Sequence, residues 1–333
     1  MQVTELFNDT RVTADSDQQF ATDGRLRHLL TLQGIDRKRM TALLDSAERW
    51  LSPMGSPAVR SDALQGFTVA NLFFEPSTRT RASFDLAARR LGADVLNLDV
   101  NTSSRKKGES ILDTIYTLQA MQVDVFVIRD ASAGVPAYIA RHVDDHVSVL
   151  NAGESEVSHP TQGLLDLLTI RRHKGDFSKL NVAIVGDIAH SRVARSAAQG
   201  LTTMGVGELR LVSPPALAPS QEDFPGARIM SSLDDGLREA DVVMALRIQR
   251  ERIGNLDGIP GIDEYFANYG VSSERLRQSA PDVIVMHPGP MNRGIEIESA
   301  LADSARSVIT EQVASGVAVR MAILCAVTGK DDH

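Results

Sequence analysis

Short apolar runs of strand length recur along the chain, each followed by a stretch of helical periodicity, and this alternation constrains the fold more than any other feature. Runs at 69–74, 95–98, 123–128 and 147–151 alternate with helical patterns near 79–91, 110–121 and 134–143. One amphipathic stretch at 159–173 then links to a second half, with runs at 182–185, 208–212, 242–245 and 283–286, helices near 191–204 and 233–239, and a final helix at 307–328. Strand-length apolar runs separated by helices predict parallel strands, because a parallel pair needs a crossover and such sheets are covered on both faces. The expected fold is therefore α/β: two doubly wound parallel-sheet domains with the active site in the cleft between them. Residues 1–24 are polar and without a period, and read as an N-terminal extension. Residues 25–158 form the first domain, completed by the C-terminal helix 307–333; residues 159–174 form a linking helix and 175–306 the second domain. A helical pattern also covers 26–51, and the polar segment 247–280 reads as a long loop.

Composition narrows the function classes. A chain of 333 residues exceeds the usual single core, and its 43% apolar and 23% charged residues are those of a soluble globular protein. No run approaches the roughly 20 apolar residues that span a bilayer, and the N-terminus lacks a basic-then-apolar leader. Cys325 is the only cysteine, so no intrachain disulfide can form; it reads as core packing, and a reducing cytoplasm fits. The 8 histidines form no HExxH and no cluster with metal-ligand spacing, which predicts no metal. A net charge of −8 disfavours nucleic acid and anionic membranes. Several arginines nevertheless sit inside motif-like segments, and positive pockets in an acidic shell suit small anionic ligands.

The first such segment is Phe73-Phe74-Glu75-Pro76-Ser77-Thr78-Arg79-Thr80-Arg81, where a strand gives way to a helix. Free N–H groups at a helix N-terminus attract anions, and Ser77, Thr78 and Thr80 hydroxyls with the Arg79 fork suit a phosphate. Read alone, it is more simply a Ser/Thr N-cap with surface arginines, and the later segments tip the balance. The loop 101–110, with Ser103 and Lys107, has complementary chemistry or is simply solvated. Arg129 ends a strand, the edge where α/β sheets place ligands. His159-Pro160-Thr161-Gln162 opens the linking helix; His159 and Gln162 share a face, and an imidazole beside a carboxamide can polarise a carbonyl and hold an amide. Gly186-Asp187, followed by Ser191-Arg192-Val193, lacks the GxGxxG of dinucleotide turns, and Arg192 at a helix start suits a carboxylate clamp. Arg247 and Gln249 point the same way in an extended segment. The prolines of His287-Pro288-Gly289-Pro290 stiffen a loop and leave carbonyls free as acceptors.

Taken in order, these segments resemble the aspartate transcarbamoylase catalytic chain: Phe-Glu-Pro-Ser-Thr-Arg-Thr-Arg at 74–81, Lys-Lys-Gly-Glu-Ser at 106–110, His-Pro-Thr-Gln at 159–162, Gly-Asp…Ser-Arg-Val at 186–193, Arg-Ile-Gln-Arg-Glu-Arg at 247–252 and His-Pro-Gly-Pro at 287–290. The resemblance implies transfer of the carbamoyl group of carbamoyl phosphate to the amino group of L-aspartate, giving N-carbamoyl-L-aspartate and phosphate in pyrimidine biosynthesis, with no cofactor. It makes the first domain the carbamoyl phosphate-binding domain and the second the aspartate-binding domain. It assigns Ser77, Thr78, Arg79 and Thr80 to the phosphate, with Ser103 also on this substrate. Thr80, Arg129 and His159 contact the carbonyl oxygen. Gln162 and the carbonyls around Pro288, Gly289 and Pro290 hold the carbamoyl NH2. Arg192, Arg247, Gln249 and Lys107 bind aspartate. Ser103 and Lys107 reach a neighbouring subunit's site in this family, which implies a homotrimer with shared sites.

The Gly289 loop departs from the enteric pattern, which has leucine there. The N-terminal extension resembles bacterial members that assemble with dihydroorotase-like chains, so residues 1–24 are expected to serve assembly or regulation by nucleotide effectors. The rivals are ornithine transcarbamoylase, a non-catalytic regulatory paralogue and a dinucleotide-dependent oxidoreductase. The first uses a Ser-Met-Gly segment and a proline-loop cysteine that this sequence lacks. The second is disfavoured by intact motif positions, and the third by the missing glycine fingerprint.

Overall fold

The computed structural model describes residues 16–53, 55–98, 110–248 and 261–330, and the chain divides into two units. The first comprises residues up to 35, 49–161 and 320 onward; the second comprises 36–48 and 162–319. In the first, β1 (Thr68–Phe73), β2 (Asp94–Leu98), β3 (Val125–Asp130) and β4 (Ser148–Glu154) form a parallel sheet in the order β2-β1-β3-β4. The crossovers are α2 (Thr78–Arg90), α3 (Ile111–Ala120) and α4 (Val135–Ala140), and α5 (Pro160–Lys174) follows β4. All of β4, and most of β1 and β3, are buried, as strands covered on both faces must be, whereas the edge strand β2 leaves Asp94, Leu96 and Asn97 exposed. A cluster including Ala70, Leu72, Ile115, Phe126, Ile128, Ile139 and Val149 packs helices onto one face. Truncating such a residue to Ala typically costs about 2–5 kcal/mol, so this layer holds the strand ends in place.

The second unit has a five-stranded parallel sheet, β5 (Asn181–Val185), β6 (Glu208–Val212), β7 (Arg228–Met230), β8 (Val242–Ala245) and β9 (Ile284–Met286), in the order β7-β6-β5-β8-β9. Its helices are α5 from residue 162 on, α6 (Arg192–Met204), α7 (Leu233–Leu237), α8 (Ile262–Tyr269), α9 (Ser299–Ala302), the first half of α10 (Ile309–Thr328), and α1 (Arg37–Arg49). Both sheets match the doubly wound expectation.

Several elements differ from the periodicity reading. The helix expected over 26–51 is α1 alone. The Asp36 carboxylate accepts from Arg39 N at 2.7 Å and starts the helix there. Residues before it run extended beside β4, with Leu29 N donating to Val149 O and Asn151 N to Leu29 O. Leu26, Leu29, Leu30 and Leu32 are buried there, so their apolar spacing reflects burial and not a helical face. α1 belongs with the second unit: Met40, Leu43, Leu44 and Ala47 make its buried stripe, and Arg171 on α5 pairs with Asp45 and Glu48 at 2.6 and 2.7 Å. Within the expected 1–24 extension, Ser16–Gln19 is a 3-10 turn packed on the first unit. Gln19 is fully buried, its Oε1 accepting from Leu30 N and Thr31 N at 2.8 and 3.0 Å. The edge strand β7 escaped notice because it is three residues long and half-exposed. The segment 247–280 contains α8, with Tyr265 and Tyr269 buried, so its latter part is not a loop.

The C-terminal helix α10 also corrects the hydropathy reading. Its 20 residues are long and apolar enough to cross a membrane by composition. Yet 72% of its most apolar window is buried in the protein, which makes it a core helix. Cys325 is buried on it.

Candidate active site

In each sheet the strand order reverses once, and several of the candidate segments follow the strands flanking that reversal: 74–81 after β1, Arg129 at the end of β3, 186–193 after β5 and Arg247 after β8. In the first sheet the reversal falls between β1 and β3, because β2 lies on one side of β1 and β3 with β4 on the other. Crevices at such points, where successive crossovers leave on opposite faces, are where open α/β sheets bind ligands. Phe73 is in register with Arg129, and Phe74 N donates to Arg129 O at 2.8 Å, so the turn 74–78 and Arg129 leave adjacent strand ends.

Ser77 is extended (φ −158°, ψ 99°) and its side chain makes no capping hydrogen bond to α2 among the described residues. By contrast, Ser110, Ser191 and Ser232 each accept from a backbone N–H three residues on, at 3.1, 3.1 and 3.2 Å. Ser77 thus holds the N-cap position of α2 without the side-chain capping bond, and lies beside the first turn of α2, where the helix dipole favours negative charge. Thr78 and Arg79 are exposed there and Thr80 is half-buried. Arg81 instead lies over the Phe73 ring, its Cζ 5.3 Å from the centroid. An open concavity of about 960 Å³ runs past Glu75, Pro76, Ser77, Thr78, Arg81 and Asn97.

Arg129 is held by two partners. It pairs with Glu75 Oε1 at 2.9 Å and donates to Ala152 O at 3.1 Å, with its side chain only 13% exposed. These bonds fix the plane of the guanidinium, so a substrate meets a pre-oriented fork. His159 is buried just before α5. Next to it, Thr161 Oγ1 accepts from the buried Arg320 at 3.3 Å, and the Arg320 Cζ stacks 4.9 Å from the Phe84 ring. α10 thus braces α2 and the start of α5 together.

In the second sheet the reversal falls between β5 and β8. Arg247 lies two residues beyond the end of β8, and Arg192 opens α6, the helix that follows β5. Leu246 N donates to Val185 O at 2.8 Å, which extends the pairing to the strand ends. Gly186 follows β5 with φ +135°, and a Cβ there would lie 2.8 Å from Leu246 O, so only glycine permits this approach. Arg192 is the first residue of α6, which Ser191 caps. Arg192 is half-buried and Arg247 exposed. Two cationic forks at one switch point can engage two carboxylates.

β9 lies beside β8 and ends in the loop carrying Pro288, Gly289 and Pro290; the Gly289–Pro290 peptide is cis. His287 Nδ1 accepts from Gly289 N at 2.8 Å, so the ring is neutral and carries its proton on Nε2, which donates to Glu296 Oε1 at 3.2 Å. Glu296 also accepts from Asn292 N, and Asn292 Nδ2 donates to Ile248 O at 3.0 Å. The proline loop is thereby tied to the segment beside Arg247. Gln162, in the first turn of α5, is buried and donates to Asp166 Oδ1 at 2.9 Å.

Within the first unit, Ser77, Thr78, Arg79 and Thr80 share one turn with Arg129 on the neighbouring strand end. Within the second, Arg192 opens the helix after β5 and Arg247 follows the adjacent strand β8. Ser103, Lys107 and Gln249 lie outside the described residues. The sequence reading passed over Glu75, Arg320, Asp166, Gln312 and Glu296. Asp166 carried a usable signal, four residues after Gln162 on the same helical face. Arg320 is distant in sequence from Thr161 and Phe84 and carried none.

Residues 27–172 match the family model of the aspartate/ornithine carbamoyltransferase carbamoyl-P binding domain, and residues 178–327 that of the Asp/Orn binding domain. Among solved structures, the chain is similar to aspartate transcarbamoylase from Trypanosoma cruzi in complex with N-(phosphonacetyl)-L-aspartic acid. That match has 30% identity and a TM-score of 0.80 over 92% of this chain and 98% of that one. The same enzyme with carbamoyl phosphate and aspartate matches at 30% identity, TM-score 0.79, over 90% and 96%. Ornithine carbamoyltransferase from Pyrococcus furiosus matches at 26% identity, TM-score 0.78, over 91% and 97%. With both domain models matched in order across strand ends that carry cationic and hydroxyl side chains, the chain belongs to the aspartate/ornithine carbamoyltransferase family.

Proposed function

We propose that this carbamoyltransferase uses L-aspartate as its acceptor, giving N-carbamoyl-L-aspartate and phosphate for pyrimidine synthesis. The observation that carries this reading is the pair Arg192 and Arg247 at the β5/β8 switch point, since aspartate brings two carboxylates and ornithine a single carboxylate with a second amine. Two forks suit the former, and a cationic side chain beside Arg247 would be repelled. The T. cruzi complexes with aspartate support the same choice.

In this reading Ser77, Thr78, Arg79 and Thr80 hold the phosphate at the N-terminus of α2. Thr80, Arg129 and His159 donate to the carbonyl oxygen, where negative charge develops as the aspartate amine attacks the carbon. Donors held in place before the reaction lower the barrier because they need no reorganisation. Gln162 and the carbonyls of the proline loop accept from the carbamoyl NH2, while Arg192 and Arg247, with Gln249, orient the amine. As the tetrahedral adduct collapses, the C–O bond to phosphate breaks and the leaving phosphate accepts the amine proton. Ser103 and Lys107 serve a neighbouring subunit in a homotrimer.

The test is carbamoyl transfer by the purified chain to L-aspartate and to L-ornithine, with Arg247→Met beside the parent. We expect aspartate to be preferred, and Arg247→Met to raise KM for aspartate more than KM for carbamoyl phosphate. A preference for ornithine would overturn the assignment. Shared sites are tested by mixing inactive Arg79→Ala and Lys107→Ala chains, which should regain activity; mixtures that stay inactive exclude sharing.

A further inference from the structure

We infer that Asp166 is a positioning residue that makes the site select an NH2 group on the acyl donor, acting through Gln162 on one side and Gln312 on the other. The inference rests on the proposed role of Gln162 and the proline loop as acceptors for the carbamoyl NH2. All of the groups involved lie in the second unit.

Asp166 is on α5 and Gln312 on the first half of α10, and both are buried. Asp166 Oδ1 accepts from Gln162 Nε2 at 2.9 Å and from Gln312 Nε2 at 2.7 Å. Asp166 Oδ1 is the acceptor in both bonds, so each glutamine turns its NH2 toward Asp166. This fixes the oxygen of each amide on its opposite edge. The Gln312 oxygen accepts from His287 N at 3.0 Å. The His287 ring, through Nδ1, then accepts from Gly289 N at 2.8 Å. Across a trans peptide the N–H and the preceding C=O point in opposite directions, so binding Gly289 N–H inward turns the Pro288 carbonyl away from His287. Gly289 itself has φ +65°, a conformation that favours glycine and carries the loop through this turn.

One buried carboxylate therefore orients two acceptors, Gln162 Oε1 and the Pro288 carbonyl, by holding the nitrogen edge of each glutamine toward itself. A carbamoyl group presents N–H donors that match; the methyl of acetyl phosphate, of similar shape, presents none and leaves the acceptors unpaired. Discrimination against a group that lacks a hydrogen-bonding partner is the strong kind, because the penalty falls on buried polar atoms.

The experiment compares KM for carbamoyl phosphate with the inhibition constant of acetyl phosphate, using whichever amino acid the parent enzyme carbamoylates. A failure of the aspartate assignment is thereby separate from a failure of this inference. Asp166→Leu should weaken carbamoyl phosphate about ten-fold while acetyl phosphate changes less than about two-fold, equivalent to a loss of one oriented hydrogen bond. Asp166→Asn should retain most of the selectivity, because its Oδ1 can still accept from both glutamines. If Asp166→Leu does not fold, Gln312→Met carries the same test by cutting the link to His287. Parallel weakening of both ligands, as a general packing defect would produce, overturns the inference, as does an unchanged ratio in a folded variant.

Discussion

His28 couples the stability of the first unit to pH. Its ring is buried, Nδ1 accepts from Val149 N at 2.9 Å, and Nε2 has no partner among the described residues. Burial, and after it the adjacent Arg27 charge, lowers its pKa from 6.5 to about 3. As pH falls through 6.5 the unfolded chain takes up a proton that the folded chain refuses until near 3. The unfolded state therefore binds more protons in that window, and the stability held above pH 6.5 is lost progressively as pH falls toward 3. At about 1.4 kcal/mol per pKa unit, the whole contribution is on the order of 5 kcal/mol, of which about 2 kcal/mol disappears between pH 7 and pH 5. His28→Asn keeps an acceptor for Val149 N–H but cannot titrate. Urea unfolding of both chains at pH 7 and pH 5 isolates the histidine as the difference between their pH effects. If the variant loses as much stability as the parent over this interval, within about 0.5 kcal/mol, the buried neutral histidine is not the cause and the reasoning fails.

Gly186→Ala should destabilise the second unit by about 2–5 kcal/mol, from backbone strain at φ +135° and from the overlap with Leu246 O. It should also raise KM for the amino-acid substrate by parting the strand ends that precede Arg192 and Arg247; thermal unfolding and steady-state kinetics check both, and normal values for both would remove the close-approach argument. Gln19→Leu leaves two buried N–H groups, of Leu30 and Thr31, without their acceptor and should cost about 2–4 kcal/mol by urea unfolding. A cost near zero would mean that Ser16–Gln19 does not contribute to the packed unit.

Much of the architecture was legible because parallel sheets write themselves into sequence. Strands covered on both faces must be apolar throughout, so β1, β3, β4, β5 and β8 appear as short runs, and the helices between them carry their own period. In three places the pattern misled. Leu26 to Leu32 are spaced like a helix but lie extended along β4, and β7 is too short and too exposed to register. The length and apolarity of α10 would also suit a membrane, and only its burial identifies it as a core helix.

For the proposed site, the sequence alone singled out the candidate ligand-binding side chains. Ser77, Arg79, Arg129, His159, Gln162, Arg192 and Arg247 stand in local motifs, because each is set by the turn that follows a strand or opens a helix. Only the tertiary structure decided what stands behind them. Glu75 on Arg129, Arg320 beneath the start of α5, and the chain from Gln162 through Asp166 and Gln312 to His287 join residues from different elements. Sequence periodicity reports which face of one element is buried. It carries no information about which buried polar group meets which, because those partners are chosen by packing between helices and strands far apart in the chain.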